Sequence, residues 1–130
     1  MTRLPRTNVR AAGRTARAPF LGEWQIIHME LWNTDLDLLG PPHLTLDHRG
    51  HGSLRFLAIE AELDYRSVER QGHPGVEFSF EGHDDGDRIS GRGWAVLTSD
   101  ALGGRIFIHQ GDDSGFTAVR RVTTQRASRR

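Results

Sequence analysis

The chain has 130 residues, 36% hydrophobic and 26% charged, which is one domain's worth of length with an ordinary globular composition. No apolar run approaches the roughly 18 residues of a membrane-spanning helix, and the lack of cysteine excludes disulfides, thiolate metal ligands and cysteine nucleophiles together. All 17 basic residues are arginine, so no lysine can form a Schiff base, and the formal net charge of zero conceals an uneven placement.

Residues 1–20 hold five arginines (Arg3, Arg6, Arg10, Arg14, Arg17) and no acid, and residues 122–130 hold three more (Arg126, Arg129, Arg130), again with no acid. The stretch 21–121 keeps nine arginines against all 17 acids, a net charge of −8. This pattern reads as an acidic body with basic tails. Residues 1–19 are expected to be a disordered arginine-rich tail, because arginine recurs every three or four residues with no apolar stripe. The segment lacks the apolar stretch of a signal peptide, which points to a cytoplasmic protein. Arginines in the arm can neutralise phosphates, but the acidic body repels the same partner, so nucleic acid is not the expected partner and neither is a membrane.

From Phe20 onward, short runs rich in aromatic and β-branched residues alternate with glycine-containing turns. GEWQIIHMELW (22–32) reads as a long first strand. Asn33 or Thr34 can cap one helical turn before Gly40-Pro41-Pro42 stops it. HLTLD (43–47) and SLRFLAI (53–59) form a hairpin around the turn Asp47–Gly52. ELDYRSVE (62–69) and VEFSFEG (76–82) follow, the latter alternating Val76, Phe78, Phe80 against Glu77, Ser79, Glu81. ISGRGWAVLT (89–98), RIFIHQ (105–110) and FTAVRRV (116–122) complete the set, separated by HDDGD, SDALGG and GDDSG.

About eight strands at roughly 10–14-residue spacing, with no place for a substantial helix, predict an all-β fold. The expected architecture is a single antiparallel up-and-down β-barrel over 20–122, with 123–130 as a second disordered basic tail. Closing the sheet removes its edges. Eight strands enclose an interior just wide enough to fill with side chains or to hold one small ligand.

Gly22-Glu23-Trp24 opens the first strand, and Phe116-Thr117-Ala118-Val119-Arg120-Arg121 closes the last. This pairing resembles the calycin group of lipocalins, fatty-acid-binding proteins and avidin-like barrels. The resemblance implies that Trp24 closes one barrel end and that Arg120, or Arg121, packs across its ring. The phrase FSFEGHDDGDRISGRGWA (78–95) is similar to one in small bacterial proteins of unassigned activity, and implies none here. The chain departs from lipocalins in lacking their disulfides, signal peptide and C-terminal helix. It departs from fatty-acid-binding proteins in lacking the two-helix lid, so the ligand class stays open.

On the first strand Trp24, Ile26, His28, Glu30 and Trp32 share one face, while Gln25, Ile27, Met29 and Leu31 share the other. The calycin resemblance turns Trp24 inward and makes His28, Glu30 and Trp32 lumen residues. Met29 and Leu31 then need a cover, from segment 33–42 or from another subunit, which makes a homo-oligomer the expected assembly. The opposite register buries Ile27, Met29 and Leu31 and leaves His28 and Glu30 at the surface. The same alternative holds for Arg92 and Trp94, in phase with each other and out of phase with Gly91 and Gly93. An inward Arg92 pairs with Glu30 or clamps a ligand carboxylate or phosphate. The expected ligand-binding set is therefore His28, Glu30, Trp32, Arg92 and Trp94.

Other chemistries find less support. His48 and His51 with His43 and Asp47, and His83 with Asp84, Asp85 and Asp87, sit at turns where side chains are ordinarily solvated, so no metal site is expected. An EF-hand loop beginning at Asp84 would need glutamate where Ala95 stands. No Gly-x-Ser-x-Gly elbow is present. His28 with Glu30 and Tyr65 is the one acid–base set worth naming, and no catalytic residue or cofactor is assigned. Two functions follow. One is a non-catalytic module holding a small, partly apolar ligand in its lumen. The alternative is a filled barrel acting through its outer surface, its tails, or an oligomer interface built on Met29 and Leu31.

Overall fold

Alternating apolar and polar residues build eight strands: β1 (Gly22–Met29), β2 (His43–Leu46), β3 (His51–Phe56), β4 (Ile59–Arg70), β5 (His73–Asp84), β6 (Asp87–Thr98), β7 (Ala101–Ile108) and β8 (Asp113–Arg120). The computed structural model describes residues 16–121. Each strand pairs antiparallel with the next, and β1 pairs with β8 to close the barrel. The fold is thus the expected eight-stranded up-and-down barrel. Among the described residues no helix is long and apolar enough to cross a membrane. The expected tails are 1–19 and 123–130, of which only residues 16–19 are among those described. Of the first tail's end, Arg17 donates to the His48 carbonyl at 2.7 Å and Phe20, in a 3₁₀ turn over Ala18–Phe20, is buried.

Turn chemistry sets the strand ends. Gln71-Gly72 and Asp85-Gly86 both have two positive φ angles, which suits two-residue hairpins whose twist matches that of the strands. Asp47 organises the β2–β3 turn, its Oδ1 accepting the backbone N–H groups of Arg49 at 2.8 Å and His51 at 2.9 Å. The His51 N–H holds the Asp47 carboxyl below its ordinary 3.8 against the opposing push of desolvation, and the Arg49 N–H adds a weaker pull in the same direction as His51. A depressed folded-state pKa means that this stabilisation is full above pH ~4 and fades as pH falls through the folded value. Asp47→Ala is expected to cost about 1 kcal/mol at neutral pH. That difference from the parent should shrink below pH ~4 in urea unfolding curves.

The interior is packed. Trp24, Ile26, Met29, Leu44, Leu54, Phe56, Ile59, Val76, Leu102 and Ile106 are all at most 1% exposed. Phe78 and Phe80 from β5 lie directly opposite Gly93 and Gly91 of β6. A Cβ on Gly93 would stand 2.4 Å from the Phe78 ring, and one on Gly91 would stand 2.6 Å from the Phe80 ring. The Gly-x-Gly of β6 is therefore the space into which two aromatic rings fit.

Both barrel ends are closed. At one, Trp24 donates its indole N–H to the Phe20 carbonyl at 2.9 Å while the Arg120 guanidinium sits 4.2 Å from the Trp24 ring centroid. Arg120 also donates to the carbonyls of Leu21 at 2.6 Å and Pro19 at 2.8 Å. At the other end Trp32 stacks on Phe56, with centroids 5.5 Å apart, and Leu36 packs beside it. Segment 33–42, expected as a possible outer cover, thus helps to cap an end of the barrel.

Strand β1 contains a β-bulge between Ile26 and His28, where the pairing with β8 slips. Trp24 and Ile26 point inward, Ile27 and His28 both face outward, and Met29 returns to the core. One extra residue inverts the phase of everything after it. The expected single face of Trp24, Ile26, His28, Glu30 and Trp32 is accordingly split, and each of the two registers holds for half of the strand.

Candidate functional site

Of the five residues expected to line a lumen, His28, Glu30, Arg92 and Trp94 face outward, and Trp32 packs against the core at a barrel end. His28 is exposed at the bulge. Glu30 is exposed and accepts from Arg105 Nη2 and from the Gly115 backbone N–H, both at 3.2 Å. Trp32 lies half-buried against Phe56 at the barrel end. Arg92 and Trp94 face outward, because the inward phase of β6 belongs to Gly91, Gly93 and Ala95. The expected Arg92–Glu30 pair is absent. Arg105 takes that place, with Glu30 on one side and Asp113 at 2.9 Å on the other. These two carboxylates raise the Arg105 pKa, Asp113 most strongly.

The acid–base set does not assemble either. Tyr65 donates its hydroxyl to the Asp47 carbonyl at 2.7 Å near the Trp24 end, whereas Glu30 is held beside Gly115 at the opposite end. Burial pushes the Tyr65 pKa up, which keeps the hydroxyl a donor. Among the described residues no three histidine or carboxylate side chains group as a metal site.

Arg92 and Trp94 do come together, with partners that the sequence reading did not single out. Two cross-strand rows run over the outer wall: Arg66, Glu77, Trp94 and Arg105 in one, and Asp64, Ser79, Arg92 and Phe107 in the next. Between them is a groove of about 560 Å³ lined by Arg66, Arg70, Glu77, Arg92, Trp94 and Phe107 among others. The Arg70 guanidinium lies 3.9 Å from the Trp94 ring centroid, and that of Arg92 lies 4.8 Å from the Phe107 centroid. Arg70 reaches Glu77 at 3.8 Å, and the Ser79 hydroxyl donates to Asp64 at 2.7 Å. The missed residues did carry a signal. Arg66 and Arg70 share a strand phase, and Arg92, Trp94, Arg105 and Phe107 belong to the outward phases of neighbouring strands.

Two larger depressions, of about 1050 and 1020 Å³, also lie along the outer wall and share Glu62, Glu81, Ser90 and His109. Glu62 and Glu81 stand directly opposite each other across β4 and β5. Neither depression presents an outward aromatic ring, since Phe80, which reaches one of them, is a core residue.

Comparison with protein-family models, with curated proteins and with solved structures gives no match for this chain.

Proposed function

We propose that the protein is a non-catalytic binding module, a calycin-like barrel that holds a small, partly apolar ligand on its outside, in the groove of Arg92 and Trp94. The observation that carries this reading is the pair of guanidinium–aromatic stacks flanking one concave groove on a sheet face that would otherwise be simply polar. The Trp24–Arg120 stack supports the calycin likeness. The ring-filled interior gives the expected lumen site no comparable support.

The neutral fluorophore N-phenyl-1-naphthylamine tests the reading. Its binding is expected to weaken at least tenfold in Trp94→Ala, while the variant keeps a cooperative melting transition because the half-buried ring lies on the outer wall and not in the core. No binding to the parent would overturn the reading. So would binding that ignores Trp94→Ala.

Self-association is a second reading, favoured by the exposure of Ile27 (51%), Leu31 (54%), Leu38 (61%) and Leu39 (44%) around one barrel end. Met29, expected beside Leu31 at such an interface, is fully buried and takes no part in it. Sedimentation of the parent and of Leu31→Glu should show an oligomer in the first and a monomer in the second. A monomeric parent removes this reading.

A further inference from the structure

We infer that the groove's ligand is a flat aromatic ring bearing an anionic group, a phosphate or a carboxylate; this rests on the outer-groove reading and names its ligand class. Charge placement is the first support. In a body with a net charge of −8 over residues 21–121, Arg66, Arg70 and Arg92 converge on one groove. Among the described residues no carboxylate lies within 4.0 Å of the Arg66 or Arg92 guanidinium, although Asp64 and Glu77 line the same groove. Asp64 accepts instead from Ser79, and Glu77 lies nearest to Arg70.

Geometry is the second support. Arg92 rests over the Phe107 ring, which holds its planar fork in place without using its hydrogen-bond donors. A guanidinium held in this way loses little freedom when it grips the two oxygens of a carboxylate or phosphate. Trp94 stands two residues along on the same face, a spacing of roughly 7 Å along the strand. A ring with an anionic substituent spans that interval, taking over from Arg70 the place above the Trp94 ring that this guanidinium occupies at 3.9 Å. Bare phosphate would leave Trp94 unused, and a neutral ring would leave the arginines unused. The groove's 560 Å³ falls within the ~300–1,000 Å³ of ordinary small-molecule sites. The neighbouring depressions are richer in carboxylates, with Glu60, Glu62 and Glu81 against Arg88 in one and Asp47, Glu62, Asp64 and Glu81 against Arg49 and Arg92 in the other, whereas the groove sets three arginines against Asp64 and Glu77.

Titration calorimetry with adenosine monophosphate, indole-3-acetate, adenosine and inorganic phosphate tests the inference. Adenosine monophosphate represents a nucleoside phosphate source and indole-3-acetate an aromatic carboxylate. At least one of the two is expected to bind tenfold or more tightly than both adenosine and phosphate. Arg92→Gln should remove that advantage at unchanged melting temperature, and Arg92→Lys, which keeps the charge and loses the fork, should restore only part of it. Equal binding of adenosine and its monophosphate, with Arg92→Gln silent, would overturn the anion requirement. Failure of both anions would do the same. In either case, retained Trp94-dependent binding of N-phenyl-1-naphthylamine would leave the outer-groove reading standing, whereas its loss would remove both.

Discussion

Replacing Trp24 with alanine is expected to lower the unfolding free energy by about 3–5 kcal/mol, the range for truncating a large buried aromatic. Trp24 is 1% exposed, and its indole N–H is satisfied by the Phe20 carbonyl. Its removal leaves a cavity, an unpaired carbonyl, and a guanidinium at Arg120 with no ring beneath it. A typical domain has only about 5–15 kcal/mol of stability in total, so the variant should unfold at markedly lower urea concentration. Arg120→Ala should cost less, about 1–2 kcal/mol, because it removes the stack and two carbonyl contacts but opens no large void. A loss below about 1 kcal/mol for Trp24→Ala would mean that the ring does not close the barrel.

Gly93→Ala is expected to destabilise by about 1–3 kcal/mol, a large effect for one methyl group, through overpacking. The new Cβ would meet the Phe78 ring at 2.4 Å and the Arg105 carbonyl oxygen at 2.6 Å. The ring is able to swing aside, whereas the carbonyl belongs to the β6–β7 ladder and is not. Phe78→Leu should therefore rescue Gly93→Ala only in part, visible as a favourable coupling in a double-mutant cycle of urea midpoints. A neutral Gly93→Ala would show that β6 has slack and that the interior is less full than its packing implies.

The eight strands were legible because period-two alternation survives in almost every one, most plainly at Val76, Phe78 and Phe80. Their ends were not. Sequence reading assigned turns to whole glycine-rich stretches such as SDALGG, whereas the chain turns at Ser99 with φ of 56° and carries Ala101–Gly104 into β7. Leu57, with φ of 54°, makes a turn inside what reads as an uninterrupted apolar strand. The phase of β1 was unreadable for a different reason. GEWQIIHMELW is apolar on both faces, so neither register wins by burial, and the bulge at Ile26–His28 uses both.

The sequence marks Arg92 and Trp94 as chemistry but leaves their side open, and the calycin likeness turns them inward through Trp24, whereas β6 itself turns them outward. The corrective signal lies in β5: Phe78 and Phe80 alternate with Glu77, Ser79 and Glu81 and so take the inner side, and Gly93 and Gly91, opposite them, share it. Arg66, Arg70 and Phe107 escaped notice because their relation to Trp94 is cross-strand, and single-strand periodicity does not contain it.

The three tryptophans mark three places: Trp24 at one barrel end, Trp32 at the other and Trp94 in the outer groove. Proton–nitrogen correlation spectra therefore place a ligand directly, since each indole N–H gives its own signal and single Trp→Phe variants assign them. Titration with N-phenyl-1-naphthylamine is expected to move the Trp94 signal progressively while those of Trp24 and Trp32 stay fixed. A shift confined to Trp24 or Trp32, with Trp94 unmoved, would place the ligand inside the barrel and contradict a site on its outer wall.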